Sequence, residues 1–86
     1  MQRALFNFGS GNYFVALPDF QKIIEIKPGL PLPRYYEALT LYFLGDKEAA
    51  LKKMKRLRGI FEDSVLLDKT INNMKSNLVE NLPVVK

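Results

Sequence analysis

The sequence predicts an all-α fold in which antiparallel helix pairs repeat along the chain and a last helix caps them. Three observations carry this. Slid along itself, the sequence matches in one register without a gap: Ala4 meets Ala38, Leu5 meets Leu39, Phe8 meets Tyr42, Gly11 meets Gly45 and Asn12 meets Asp46. The same register continues through Ala16 with Ala50, Leu17 with Leu51, Phe20 with Met54, Ile23 with Leu57 and Ile26 with Ile60. Second, Gly11-Asn12 and Gly45-Asp46 put a helix-ending glycine directly before a helix-starting cap. Third, Leu67, Ile71, Met74, Leu78 and Leu82 recur at spacings of four, three, four and four, the one-sided stripe of an amphipathic helix.

Each element follows in order. A short first helix spans residues 2 to 8 and stops before Gly9-Ser10-Gly11. A second runs over residues 13 to 27, opened by Asn12 and stopped by Pro28, which lacks an amide donor. Pro18 falls inside it and is read as a restart, with proline in a first turn and Asp19 favouring the positive helix end. Pro28, Pro31 and Pro33 keep the next connection stiff and extended. The third helix covers residues 33 to 44 and the fourth residues 46 to 58, with Gly59 at its end. Residues 1–62 thus hold two degenerate repeats, the first lacking most of its first helix. The amphipathic cap covers 63–82, and residues 83–86, opened by Pro83, are a loose tail.

The offset between the matched pairs is the tetratricopeptide period of about 34 residues. Together with Gly11-Asn12-Tyr13, Ala16-x-x-x-Phe20, Pro28 and Gly45-Asp46-Lys47-Glu48-Ala49-Ala50-Leu51, it resembles the tetratricopeptide repeat family. The resemblance covers residues 2 to 61 and implies a fragment of an α-solenoid. Arg34 stands where the family opens its first helix with tryptophan, Glu37 where it prefers leucine, and Glu62 where a second proline would close the repeat. The resemblance also implies that the first helix of each repeat lines a groove that takes peptides. Some family members clamp a terminal carboxylate with cations at positions that correspond here to Leu5, Leu32 and Tyr36, so an apolar ligand is expected instead.

Composition narrows the chemistry. The chain has 86 residues, which suits one domain. It has neither cysteine nor histidine, which removes disulfides, thiolate nucleophiles, the commonest general base and the commonest metal ligands. No P-loop, dinucleotide fingerprint or paired-carboxylate set occurs, so the expectation is a protein that is not an enzyme and uses no cofactor or metal. The net charge of +4 is local: Lys52, Lys53, Lys55, Arg56 and Arg58 lie close together, and without them eight basic residues face nine acidic ones, a net of −1. No apolar run reaches the roughly 18–20 residues of a membrane span. Asn7, Gly9, Ser10 and Asn12 cut short the one N-terminal run that begins like a secretory signal, so the expected location is cytoplasmic.

Three sets of residues are candidate sites. Tyr35, Tyr36, Leu39, Tyr42 and Phe43 give the third helix a broad aromatic face, read as a partner-binding groove; the alternative is packing between neighbouring helices. Lys52, Lys53, Lys55, Arg56 and Arg58 form a basic stripe at 52–58, either a solvated outer face or a contact for an acidic surface, a lipid or a phosphate backbone. No aromatic residue interleaves the stripe, which argues against nucleic-acid bases. Leu5, Phe6 and Phe8 crowd a helix too short to persist alone and are read as a self-association edge, with Phe14 and Leu17 just beyond; the alternatives are burial against a partner or against an upstream repeat. The resulting expectation is a protein-interaction module for a protein or peptide, with a homodimer as the simplest assembly. The alternatives are a structural helical subunit of a larger assembly and an anion-binding module built on the stripe.

Overall fold

The chain makes the same sharp reversal twice. In the computed structural model, which describes residues 1–75, Gly11 has φ 82° and Gly45 has φ 98°. Only glycine adopts such angles without strain. The hydrogen bonds around the two glycines also repeat. Gly11 N–H donates to the Phe8 carbonyl at 3.1 Å and Asn12 N–H to Asn7 at 2.8 Å; one repeat later, Gly45 N–H donates to Tyr42 at 3.0 Å and Asp46 N–H to Leu41 at 3.0 Å. These bonds satisfy carbonyls that a helix end otherwise leaves open.

Among the described residues there are five helices and no strand: α1 (Gln2–Gly9), α2 (Tyr13–Ile26), α3 (Pro31–Phe43), α4 (Lys47–Arg56) and α5 (Ser64–Lys75). None is long and apolar enough to cross a membrane. Each packs mainly on its neighbours in sequence.

The structure corrects three local expectations. Helix α3 begins at Pro31, not at 33. Leu30 is extended, with φ −82° and ψ 120°, and both Pro31 and Pro33 sit in the first turn. Amides there have no intrahelical partner, so their absence costs little. Helix α2 does not restart at Pro18 but runs through it. An interior proline costs about 3 kcal/mol, by removing one hydrogen bond and crowding the carbonyl four residues earlier. Pro18 is exposed, so water can serve the carbonyl left open. Asp19 does not serve a new helix end; it ties α2 to α1, accepting from Asn7 Nδ2 and facing Arg3 Nε, each at 3.4 Å. Helix α4 ends at Arg56, two residues earlier than expected, because Ile60 and Phe61 N–H both turn back to the Leu57 carbonyl around Gly59 at φ 93°.

Two caps act through side chains. Asp46 accepts from Ala49 N–H at 3.3 Å to open α4, and Asp63 accepts from Leu66 N–H at 2.9 Å to open α5. Asn12, the counterpart of Asp46, makes no such side-chain bond. On α5 the expected stripe is buried at Leu67, Ile71 and Met74. Leu78, Leu82 and the tail 83–86 lie outside the described residues.

The core is organised around α3. Residues Tyr35, Tyr36, Glu37, Ala38, Leu39 and Thr40 are buried in succession, all round the helix. A helix buried on every side is central, not a surface element. Ring contacts name its neighbours. Tyr36 stacks on Phe20 of α2 at 5.6 Å, Phe8 of α1 meets Tyr36 edge-on at 5.3 Å, and Tyr35 stacks on Phe61 at 5.0 Å. The Tyr35 and Thr70 hydroxyls share a 2.9 Å hydrogen bond that ties α3 to α5. Ala16 and Ala50 are fully buried at equivalent points of α2 and α4, followed four residues later by fully buried Phe20 and Met54.

Candidate functional site

The tyrosine face of α3 is core. Tyr35, Tyr36, Leu39 and Tyr42 are buried, and Phe43 is half-buried and stacked on Tyr13 at 5.0 Å. This corrects the picture of an open groove lined by these rings. The spacing on α3 is right for a broad apolar face, but helices cover that face from both sides. Burial raises the Tyr35 hydroxyl above its ordinary pKa, with Asp63 adding to the rise and the Thr70 hydrogen bond opposing it. Burial likewise raises Tyr36, and Tyr35 beside it adds to the rise. Both therefore stay neutral at physiological pH.

The self-association edge divides. Phe8 is buried and forms the hub of the aromatic core, meeting Tyr13, Phe20, Tyr36 and Phe43 edge-on with ring centres 5.3–6.4 Å apart. It is not a surface residue. Leu5 and Phe6 are exposed, at 37% and 71%, and Phe14 is 83% exposed, while Leu17 is half-buried. Among the described residues, seven of the nine exposed large apolar side chains lie between Met1 and the start of α3: Met1, Leu5, Phe6, Phe14, Val15, Ile26 and Leu30. Most of the uncovered apolar surface of the described residues therefore lies on α1, α2 and the turn that follows.

The internal repeat shows what this surface lacks. Leu39 and Thr40, the counterparts of Leu5 and Phe6, are 1% and 0% exposed. On α3 those positions lie in a helix with the α1–α2 hairpin packed on one side. On α1 nothing among the described residues takes that place. The identity at the second position also differs: Thr40 donates to the Tyr36 carbonyl at 2.7 Å and suits a closed interior, whereas Phe6 presents a bare ring.

The basic stripe is partly absorbed by the fold. Lys53 pairs with Glu37 at 3.5 Å, and Arg58 faces Asp68 at 3.7 Å. Glu37 is buried, and it stands where the resembled family prefers leucine; the pair links α3 to α4. Spacing along the chain carries no sign of it, because residues so far apart meet only once two helices are docked. Lys53, Lys55 and Arg56 also occupy the last turn of α4, where cations favour the negative helix end. Lys52, Lys55 and Arg56 make no ion pair among the described residues. A cleft of about 190 Å³ opens beside Arg56, lined also by Pro28, Arg34, Glu37, Lys53 and, on its apolar side, Leu57 and Ile60.

No described cluster of three or more carboxylates could hold a metal ion. No protein-family model, curated protein or solved structure matches the chain.

Proposed function

We propose that the chain is a tetratricopeptide-like protein-interaction module without catalytic activity, and that its partner docks on the open α1–α2 edge. The observation behind this reading is the inequality of two equivalent helices: Leu5 and Phe6 are exposed where Leu39 and Thr40 are closed. The cover over α3 is a helical hairpin, so a helical hairpin fits the matching face of α1. Support for the repeat itself comes from the turns, which recur with the same bonds in both copies, and from the matched burial of Ala4 with Ala38, Ala16 with Ala50 and Phe20 with Met54.

A second copy of this chain supplies such a hairpin. Two copies joined edge to edge about a two-fold axis form the commonest closed assembly. Arg3, the only charged side chain of α1, is already paired with Asp19 of α2. Truncating apolar anchors at such an interface removes most of its affinity.

The cysteine-free sequence allows a direct test. A Gln2→Cys variant, exposed on α1 one turn before Phe6 and leaving the apolar anchors intact, is expected to form a disulfide-linked dimer when oxidised at micromolar concentration, while Lys52→Cys on the basic stripe stays a monomer. Equal cross-linking of the two variants, or none at position 2 in a chain that remains helical by circular dichroism, overturns the reading.

A further inference from the structure

We propose that the cleft between the start of α3 and the end of α4 binds a phosphate group through Arg34, Lys53 and Arg56. This inference is independent of the α1–α2 edge. The three cations come from two helices and line one cavity with a single carboxylate, Glu37. Three positive charges and one negative leave a local charge of +2. A phosphate monoester carries about −1.5 to −2 at neutral pH, so it matches that charge.

Two of the three donors are held in place. Arg34 Nε donates to the Pro28 carbonyl at 3.0 Å, which fixes the guanidinium and leaves its terminal nitrogens free to bond elsewhere. Lys53 is held by Glu37 at 3.5 Å and has further N–H donors to offer. Arg56 makes no ion pair among the described residues. Leu57 and Ile60 add an apolar side to the cleft. The volume, about 190 Å³, suits a phosphate and a few attached atoms and falls below the roughly 300 Å³ at which pockets for larger ligands begin. Lys52 and Lys55 belong to the same charge run but do not line the cleft, which makes them controls.

The test is a two-dimensional NMR titration of the full chain with inorganic phosphate, and in parallel with a short phosphoserine peptide and its unphosphorylated form. Saturable shifts of the Arg34 and Arg56 side chains and of the Gly59 and Ile60 amides are expected. Arg34→Gln or Arg56→Gln should weaken binding about tenfold, since each removes a charge-assisted contact. Arg34→Lys should weaken it as well, because lysine keeps the charge but loses the planar fork. The Lys52→Gln, Lys55→Gln double variant should bind like the parent. Tighter binding of the phosphopeptide than of inorganic phosphate identifies the source as a phosphorylated side chain, and equal binding identifies it as a free phosphate. Shifts that do not saturate, that follow Lys52 and Lys55, or that survive both arginine substitutions in folded protein overturn the proposal.

Discussion

Leu5 and Leu39 occupy equivalent points of two helices one repeat apart, yet Leu5 is 37% exposed and Leu39 is 1% exposed. The difference comes from their surroundings, not from the residues. Leu39 lies in a helix enclosed on both sides, whereas Leu5 lies in a helix packed on α2 with its outer side open. Fully burying a leucine is worth about 1.5–3 kcal/mol relative to leaving it exposed, so an edge that also carries Phe6 and Phe14 gains several kcal/mol when covered.

The two matching turns act as controls for each other at their caps. Asp46 accepts a bond from Ala49 N–H, while Asn12 at the same place accepts none. Asp46→Ala is expected to cost about 1 kcal/mol and Asn12→Ala only a few tenths. Urea denaturation of both variants checks this, and equal losses would mean that the side-chain bond contributes nothing.

Burial of Glu37 beside Lys53 makes a second prediction. Lys53→Met leaves the carboxylate buried without its partner and should destabilise the fold by about 1–3 kcal/mol, less than for a fully buried pair because Lys53 is partly solvated. Adding Glu37→Leu should recover most of that loss, since an apolar replacement of a buried pair is often neutral or better. A double-mutant cycle with no coupling would show that the two residues act separately.

Alkaline pH should unfold the protein through its tyrosines. Tyr35 and Tyr36 have folded pKa values raised above 10.0 by burial. A raised acid holds its proton longer when folded than when unfolded. Its contribution is therefore complete below pH 10 and lost as pH rises through the folded value. Stability measured by denaturant at stepped pH should fall above pH 10, at up to about 1.4 kcal/mol per pH unit for each proton by which the states differ. Tyr36→Phe should reduce the slope; an unchanged slope would place the titration elsewhere.

Much of the architecture was legible in the sequence because it rests on local rules. Gly11 and Gly45 are needed by the backbone, Ala16 and Ala50 by close helix packing, and all four recur in register. The start of α3 was not legible, because Pro31 and Pro33 fit an extended connection as well as a first helical turn. The role of the α3 tyrosines was ambiguous for a different reason. A face of Tyr35, Tyr36 and Tyr42 has the same spacing whether it meets a ligand or another helix. Only the packing of Phe8, Phe20 and Phe61 around it decides the matter. Phe6 and Phe8 illustrate the same limit within two residues: one ring is at the centre of the core and the other is exposed.

Whether a second copy covers the α1–α2 edge can be read from sedimentation equilibrium of the purified chain. The expected result is a mass that rises with concentration in the micromolar range toward twice that of a single chain. Phe6→Glu and Phe14→Glu should hold it at the single-chain value while circular dichroism stays helical. A single-chain mass at every concentration, unchanged by either substitution, would mean that no second copy covers the edge.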